Sequence, residues 1–238
     1  MKGPRITSLD GSDSAGASSR TVFLFELEQL KLQVEVMALK VDEALSRSTQ
    51  VLLSGDGILA DKVVAGDDAI DSMLVSLTEK CYDLLIRQNP VASDLRLVMS
   101  VLRIMSDLER TGDLCLRVVK LAPEQPLMVR HPETFGILRA MASEASALFR
   151  AAVRAWAAQD LELARSLEEQ DDAMDEYNVQ LTQAIRRLEG PDAVAAAVAT
   201  LLAGRALERI ADHSVMVGER LRYMLTGDVS GLSREIGP

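Results

Sequence analysis

The chain has 238 residues, 48% of them hydrophobic but only 3% aromatic, and its 36 acidic against 26 basic residues leave a formal charge of −10. A core drawn from Leu, Val, Ala, Ile and Met favours helices, and the length leans towards two small domains. The acidic balance excludes a basic, phosphate-neutralising surface for nucleic acid.

Residues 1–19 are rich in Gly, Ser and Asp, have no apolar run of the kind a secretion signal needs, and are predicted to form a disordered tail. From Phe23 to about Leu53, apolar residues recur every three or four positions (Phe23, Leu27, Leu30, Val34, Met37, Val41, Leu45), which predicts one amphipathic helix. Ser54-Gly55-Asp56-Gly57 has the chemistry of a helix stop followed by a new start. A second helix is expected over 58–88, with its stripe at Val63, Ile70, Leu74, Leu77, Cys81 and Leu84. Asn89-Pro90 closes it, and a third helix can start at that proline and reach about Leu121. Long helices with short connections make an up-down-up bundle.

Residues 123–132 contain three prolines and form the joint between halves. Beyond it the pattern repeats. An offset of 104 carries Met37-Ala38 onto Met141-Ala142, Asp56 onto Asp160, and Asp67-Asp68-Ala69-Ile70-Asp71 onto Asp171-Asp172-Ala173-Met174-Asp175. The third helices match at an offset of 99, with Leu108-Glu109-Arg110 and Asp113 answered by Leu207-Glu208-Arg209 and Asp212. The five-residue difference is expected where Asn89-Pro90 is answered by Gly190-Pro191. These matches predict an all-α fold of two tandem, pseudo-symmetric three-helix bundles, over 20–122 and 132–226.

The longest apolar run, Ala193 to Ala203, is about half of the roughly 20 residues that a membrane span needs, so no membrane insertion is expected. Cys81 and Cys115 lie inside helical patterns, far from any zinc-ligand spacing, and read as reduced, buried residues of a cytoplasmic protein.

Each half carries two acidic pairs at i,i+4: Asp67/Asp71 with Glu109/Asp113, and Asp171/Asp175 with Glu208/Asp212. That spacing sets both members of a pair on one helix face, and like charges so placed cost a few tenths of a kcal/mol. The last helix is expected to bury Ala203, Leu207, Ile210, Val217 and Leu221. Glu208, Asp212 and Glu219 fall about 160 to 180 degrees away and should face outward. If the Asp pairs on the shoulder of each second helix face the third, four carboxylates converge on the bundle surface. Such oxygen-only sets suit hard cations such as Mg²⁺, Mn²⁺, Ca²⁺ or ferric iron. His213 could add a nitrogen, although a lone His on an acidic helix is more often solvated or ion-paired. The plainer alternative is that both rows are solvated faces, neutralised by Arg103, Arg110, Arg205 and Arg209. No Gly-rich phosphate loop, no nucleophile with a histidine base and no ExxH element is present, so catalysis is not expected.

The run Asn89-Pro90-Val91-Ala92-Ser93-Asp94-Leu95-Arg96, followed by Asp107-Leu108-Glu109-Arg110-Thr111-Gly112-Asp113, resembles the PhoU family pattern of a QPVAxDLR turn leading into DLERIGD. Leu207-Glu208-Arg209-Ile210-Ala211-Asp212-His213 is similar to that family's LERIADH, and the paired Asp residues of the second helices match its acidic element. The resemblance covers the chain from Arg20 to about Leu225. It implies a frequently dimeric protein of two three-helix bundles with carboxylate-bound metal ions, of which Fe, Mn, Mg or Zn are candidates. It also implies a negative regulator of the phosphate regulon, joining the ATPase subunit of the phosphate ABC transporter to a sensor histidine kinase. The family's NIAE becomes Arg117-Val118-Val119-Lys120 in the first half and Met216-Val217-Gly218-Glu219 in the second. With Lys120 where Glu219 stands in the repeat, the first cluster is expected to hold metal more weakly. Metal storage or metal-dependent hydrolysis on the same carboxylates, and a plain helical scaffold, are the alternatives.

Overall fold

The computed structural model describes residues 11–230, with side chains from Arg20 onward, and contains only helices among them. The tail expectation falls on residues 1–10, which lie outside the described residues, and on the first turns of α1, where only the backbone is described. In chain order the helices are α1 (Gly11–Ser54), α2 (Gly57–Gln88), α3 (Ala92–Val119), the short α4 (Gln125–Met128), α5 (Pro132–Ala158), α6 (Leu161–Ile185) and α7 (Ala193–Thr226). The three-plus-three plan read from the sequence is therefore present, with α1 to α3 repeated as α5 to α7.

The turns show why the chain breaks where it does. Gly55 at φ 73° ends α1 in the left-handed region, and the Asp56 carboxylate caps α2 by accepting from the backbone N–H groups of Ile58 and Leu59. The second half repeats the device one offset later. Gln159 takes a left-handed φ of 52°, and Asp160 accepts from Glu162 and Leu163 at 3.0 Å each. Asn89, also left-handed, closes α2. α3 starts at Ala92 rather than at Pro90, with Val91 extended as its N-cap residue. The five-residue difference between halves is absorbed mainly by α6, which has 25 residues against 32 in α2.

The apolar stripes fall where periodicity placed them: all seven named residues of α1 are buried, as are those of α2 apart from half-buried Leu74. A helix wheel describes one face, however, and several helices here bury more than one. One continuous cluster of buried side chains runs through both halves, because α3 packs on α7 and α1 on α5. The α3–α7 seam is antiparallel: Arg96 Nε donates to the Met224 carbonyl, and Ser100 Oγ to that of Arg220. Buried Trp156 on α5 donates its indole N–H to the Lys31 carbonyl of α1, which satisfies the only polar atom of the largest core side chain. The joint is pinned rather than slack. Met128 is fully buried, and Gln125 Nε2 donates to the Leu53 carbonyl at 2.9 Å.

Cys81 and Cys115 are both free and buried, and burial pushes each thiol up to about 12. Neither is a thiolate near neutrality. No helix among the described residues is long and apolar enough to cross a membrane.

Candidate metal-binding carboxylate clusters

The first acidic constellation is assembled by α2 and α3. Ile70 is buried between them, while Gly112 leaves room for α2. A methyl group at Gly112 would stand 3.4 Å from the Ile70 side chain and 3.8 Å from Asp67 Oδ1. With Ile70 inward, Asp67 is half-buried on the shoulder and Asp71 exposed; from α3, half-buried Glu109 and exposed Asp113 come up to meet them. Their proximity is visible in how they perturb one another. Partial burial, then the charges of Asp71 and Asp113, raise the Asp67 carboxyl above its ordinary 3.8, against a lowering by Lys120. Burial, then Asp113 and Asp71, raise Glu109 above 4.5. All four carboxylates thus form one electrostatic set, as expected. Among the described residues none of the four forms a close ion pair, and Arg110, which lowers Glu109, and Lys120, which lowers Asp67, offset the set only in part.

The second set is built by α6 and α7 but differs in detail. Glu208 is half-buried and raised by burial. Arg205, one turn earlier, forms an ion pair with it, and Asn178 Nδ2 donates to its Oε1 at 3.0 Å. Asp212 is raised by burial and by Asp175, an effect opposed by His213, Arg205 and Arg209. Asp171, Asp212 and Glu219 line one concavity of about 210 Å³ with Val215 and Met216.

One expectation needs correction. Glu219 does not face outward; it is buried at 7% exposure, because α7 packs on α3, α5 and α6 together and has almost no free side at this level. His213 is ion-paired, the commoner of the two readings offered by its sequence context. It is 6% exposed, and its Nδ1 lies 3.1 Å from Oδ1 of buried Asp107 on α3, which makes it a cross-seam partner rather than a ligand. Asp107 was missed because no matching acid occurs in the other repeat: an offset of 99 leads to Ala206. Of the four arginines proposed as neutralisers, only Arg205 forms an ion pair among the described residues.

As donor sets, both clusters fit a hard cation: oxygen ligands, mutual repulsion, partial desolvation. They are not ready-made cages. Among the described residues no three Asp, Glu, His or Cys side chains stand where together they could hold a metal ion, so binding would require rotamer changes.

The model of the PhoU domain matches this chain twice, over residues 34–122 and 138–221. The chain belongs to the PhoU family. Those two matches coincide with the two structural repeats, and each contains one carboxylate cluster. Among curated relatives, the phosphate-specific transport system accessory protein PhoU homolog 2 of Mycobacterium tuberculosis is 34% identical over 214 residues, covering 87% of this chain and 98% of the relative. The PhoU homolog of Pseudomonas aeruginosa is 31% identical, with 86% of each chain covered. The crystal structure of PhoU from Pseudomonas aeruginosa superposes with a TM-score of 0.82 at 29% identity, covering 87% of this chain and all of that one. That of the phosphate transport system regulatory protein PhoU from Streptococcus pneumoniae gives 0.76 at 27% identity, with 87% and 98% covered.

Proposed function

We propose that this chain is a non-catalytic accessory regulator of phosphate transport. In this reading it acts in the cytoplasm, joins the ATPase subunit of a phosphate ABC transporter to a sensor histidine kinase, and represses the phosphate response when phosphate is plentiful. The observation that carries the reading is full-length likeness, since the chain spans 98% of a phosphate transport accessory protein and keeps both repeats. A homodimer is part of the same proposal. Phe25, Leu32, Val36 and Leu39 share one exposed face of α1, and apolar surface of that kind marks interaction sites.

In the same reading the two clusters take up hard cations, with Asp67, Asp71, Glu109 and Asp113 at one site and Asp171, Asp175, Glu208 and Asp212 at the other. A bound cation would supply charge neutralisation there, stiffening the pairing of α2 with α3 and of α6 with α7. The sites are unequal. Lys120 opposes Asp67 in the first, whereas in the second Glu219 shares a concavity with Asp171 and Asp212. The second is therefore expected to bind more tightly, despite the share of Glu208 taken by Arg205.

Two measurements test this. Capture of both partners from lysate by the purified chain, at high and low phosphate, should show phosphate-dependent retention; indifference to both would end the adaptor reading. Elemental analysis of untagged protein, with titration of Asp67→Asn/Asp113→Asn and Asp171→Asn/Asp212→Asn variants, should remove one site at a time. Two equal, tight sites would overturn the ranking, and the absence of metal from every preparation would leave the acidic rows as solubilising surface.

A further inference from the structure

The two repeats exchange places about the middle of the α3–α7 seam, so each end of the seam should resemble the other. At one end they do not. A groove of about 450 Å³ lies between the last turns of α3 and the first half of α7, and Arg117, Lys120, Arg205 and Arg209 all line it. Leu114 and Ala206, both buried, form its apolar floor. Arg117 and Lys120 share a face of α3, as Arg205 and Arg209 share one of α7, by the three- and four-residue steps of a helix. No carboxylate lines the groove, although the chain as a whole is at −10. Arg117, Lys120 and Arg209 form no ion pair among the described residues; Arg205 is shared with Glu208 outside the lining set. In the other repeat, the positions of Arg117 and Lys120 are held by Met216 and Glu219. The mirrored end also carries arginines, Arg103, Arg110 and Arg220, but sets Asp107 and Glu219 among them, so a cationic lining without carboxylates is particular to this end.

Converging like charges repel, by about 1 kcal/mol per pair at 4 Å even in water. An anion seated among them would relieve that repulsion. Three guanidinium groups and one ammonium match phosphoryl oxygens, the arginines as two-pronged donors and the lysine as a mobile point charge. The volume is that of a small-molecule site rather than of a bare ion, and an apolar floor beneath a cationic rim suits an anion with an organic body.

We propose that this groove binds the phosphoryl group of a small anion, either inorganic phosphate or a nucleotide. It adjoins the carboxylate clusters, through Lys120 beside Asp67 and Arg205 paired with Glu208, but takes an anion rather than a cation and does not depend on the partners proposed above. The test is calorimetric titration of the full chain, at fixed ionic strength, with inorganic phosphate in one arm and ADP in the other. Saturable binding is expected in at least one arm, weakened about tenfold or more by Arg117→Glu and by Lys120→Gln. Arg165→Glu, which changes net charge on exposed surface beside Asp228, beyond the far end of α7 from the groove, should leave affinity within about twofold. ADP binding more tightly than phosphate assigns the apolar floor to the organic body; equal affinity assigns the phosphoryl group alone. Either result supports the site, provided that helical content and melting temperature match the parent chain. No saturable binding of either probe up to millimolar concentration overturns the proposal. So does a loss that Arg165→Glu reproduces, and in either case the four side chains only cover apolar surface with their stems.

Discussion

The two copies of the helical unit agree where they fold and differ where they meet. Turns, caps and core stripes repeat almost residue for residue: Gly55 and Gln159 both turn left-handed, and Asp56 and Asp160 both cap. Along the α3–α7 seam, by contrast, exchanging the halves carries the buried Asp107–His213 pair onto Ala206 and Leu114, which line the cationic groove. Local structure is under the same constraint in each copy, since every helix needs a start, a stop and an apolar face. The seam is not, because two ends that were once equivalent can specialise without harming either bundle.

The largest expected break in that comparison is at Gly218. A methyl group there would sit 2.6 Å from the Leu167 side chain and 3.0 Å from the Ala164 carbonyl, so α6 approaches α7 through this glycine. The first half carries Val119 at the matching position. Gly218→Val should therefore destabilise by about 3 kcal/mol through overpacking, even after the gain from removing a helical glycine. In thermal melts that is a fall of roughly 6 to 12 °C for a chain of this size. A neutral effect would mean that the two helix pairs are interchangeable after all.

Next comes the seam pair. Replacing either partner alone, by Asp107→Ala or His213→Leu, leaves a buried polar group without its hydrogen bond and should cost about 1 to 3 kcal/mol in denaturant melts. The double variant makes this end of the seam like the other, where Ala206 and Leu114 stand. It should recover only part of the loss: two apolar groups satisfy one another where one polar group cannot, but Asp107 also supports the charge of buried Arg220. Strictly additive losses in the double-mutant cycle would show that the pair is not coupled.

What the sequence disclosed follows the same division. Periodicity, caps and the duplicated acidic pairs are local patterns, and they located six long helices and the first carboxylate set. The offset of 99 placed Glu208 and Asp212 on α7 but could not show that α7 is packed on three sides, so Glu219 was assigned to the wrong face. Asp107 and His213 come together from 106 positions apart, with no repeat partner to betray them. Arg117 and Lys120 were visible only as departures from a pattern. What they line became apparent once α7 lay beside them.

The carboxylates offer a finer probe. Asp67 and Glu109 are both raised above their ordinary values of 3.8 and 4.5. The fold therefore binds their protons more tightly than the unfolded chain does, and their contribution to stability rises as pH falls from neutrality through the raised values. Above that window both are charged in either state and their mutual repulsion burdens the fold in full. An Asp67→Asn/Glu109→Gln variant should be more stable than the parent at pH 7, by less than about 1 kcal/mol. The difference should vanish once the pH is below both ordinary values. A variant that is less stable at pH 7 would show that the carboxylates are held by favourable contacts rather than strained by proximity. Adding Mn²⁺ or Mg²⁺ at pH 7 should raise the melting temperature of the parent by more than that of the variant, which keeps only the second cluster.

The smallest effect sharpens the comparison between clusters. Among the described residues Arg205 is the one arginine that pairs with a candidate ligand, and it is more than half exposed, while Glu208 also accepts from Asn178. Exposed ion pairs of this kind contribute about 0 to 1 kcal/mol, so Arg205→Ala should barely move the unfolding midpoint. Its effect should appear in the acidic set instead. Arg205 lowers both Glu208 and Asp212 against the rise caused by burial, so without it both carboxyls should titrate higher, by carbon-detected NMR of the side chains. Glu208 would then lack an ion pair with arginine, as Glu109 does among the described residues. If the titration of Glu208 did not change, Asn178 and not the arginine would be what positions it, and the difference between the two clusters would lie in α6 rather than in α7.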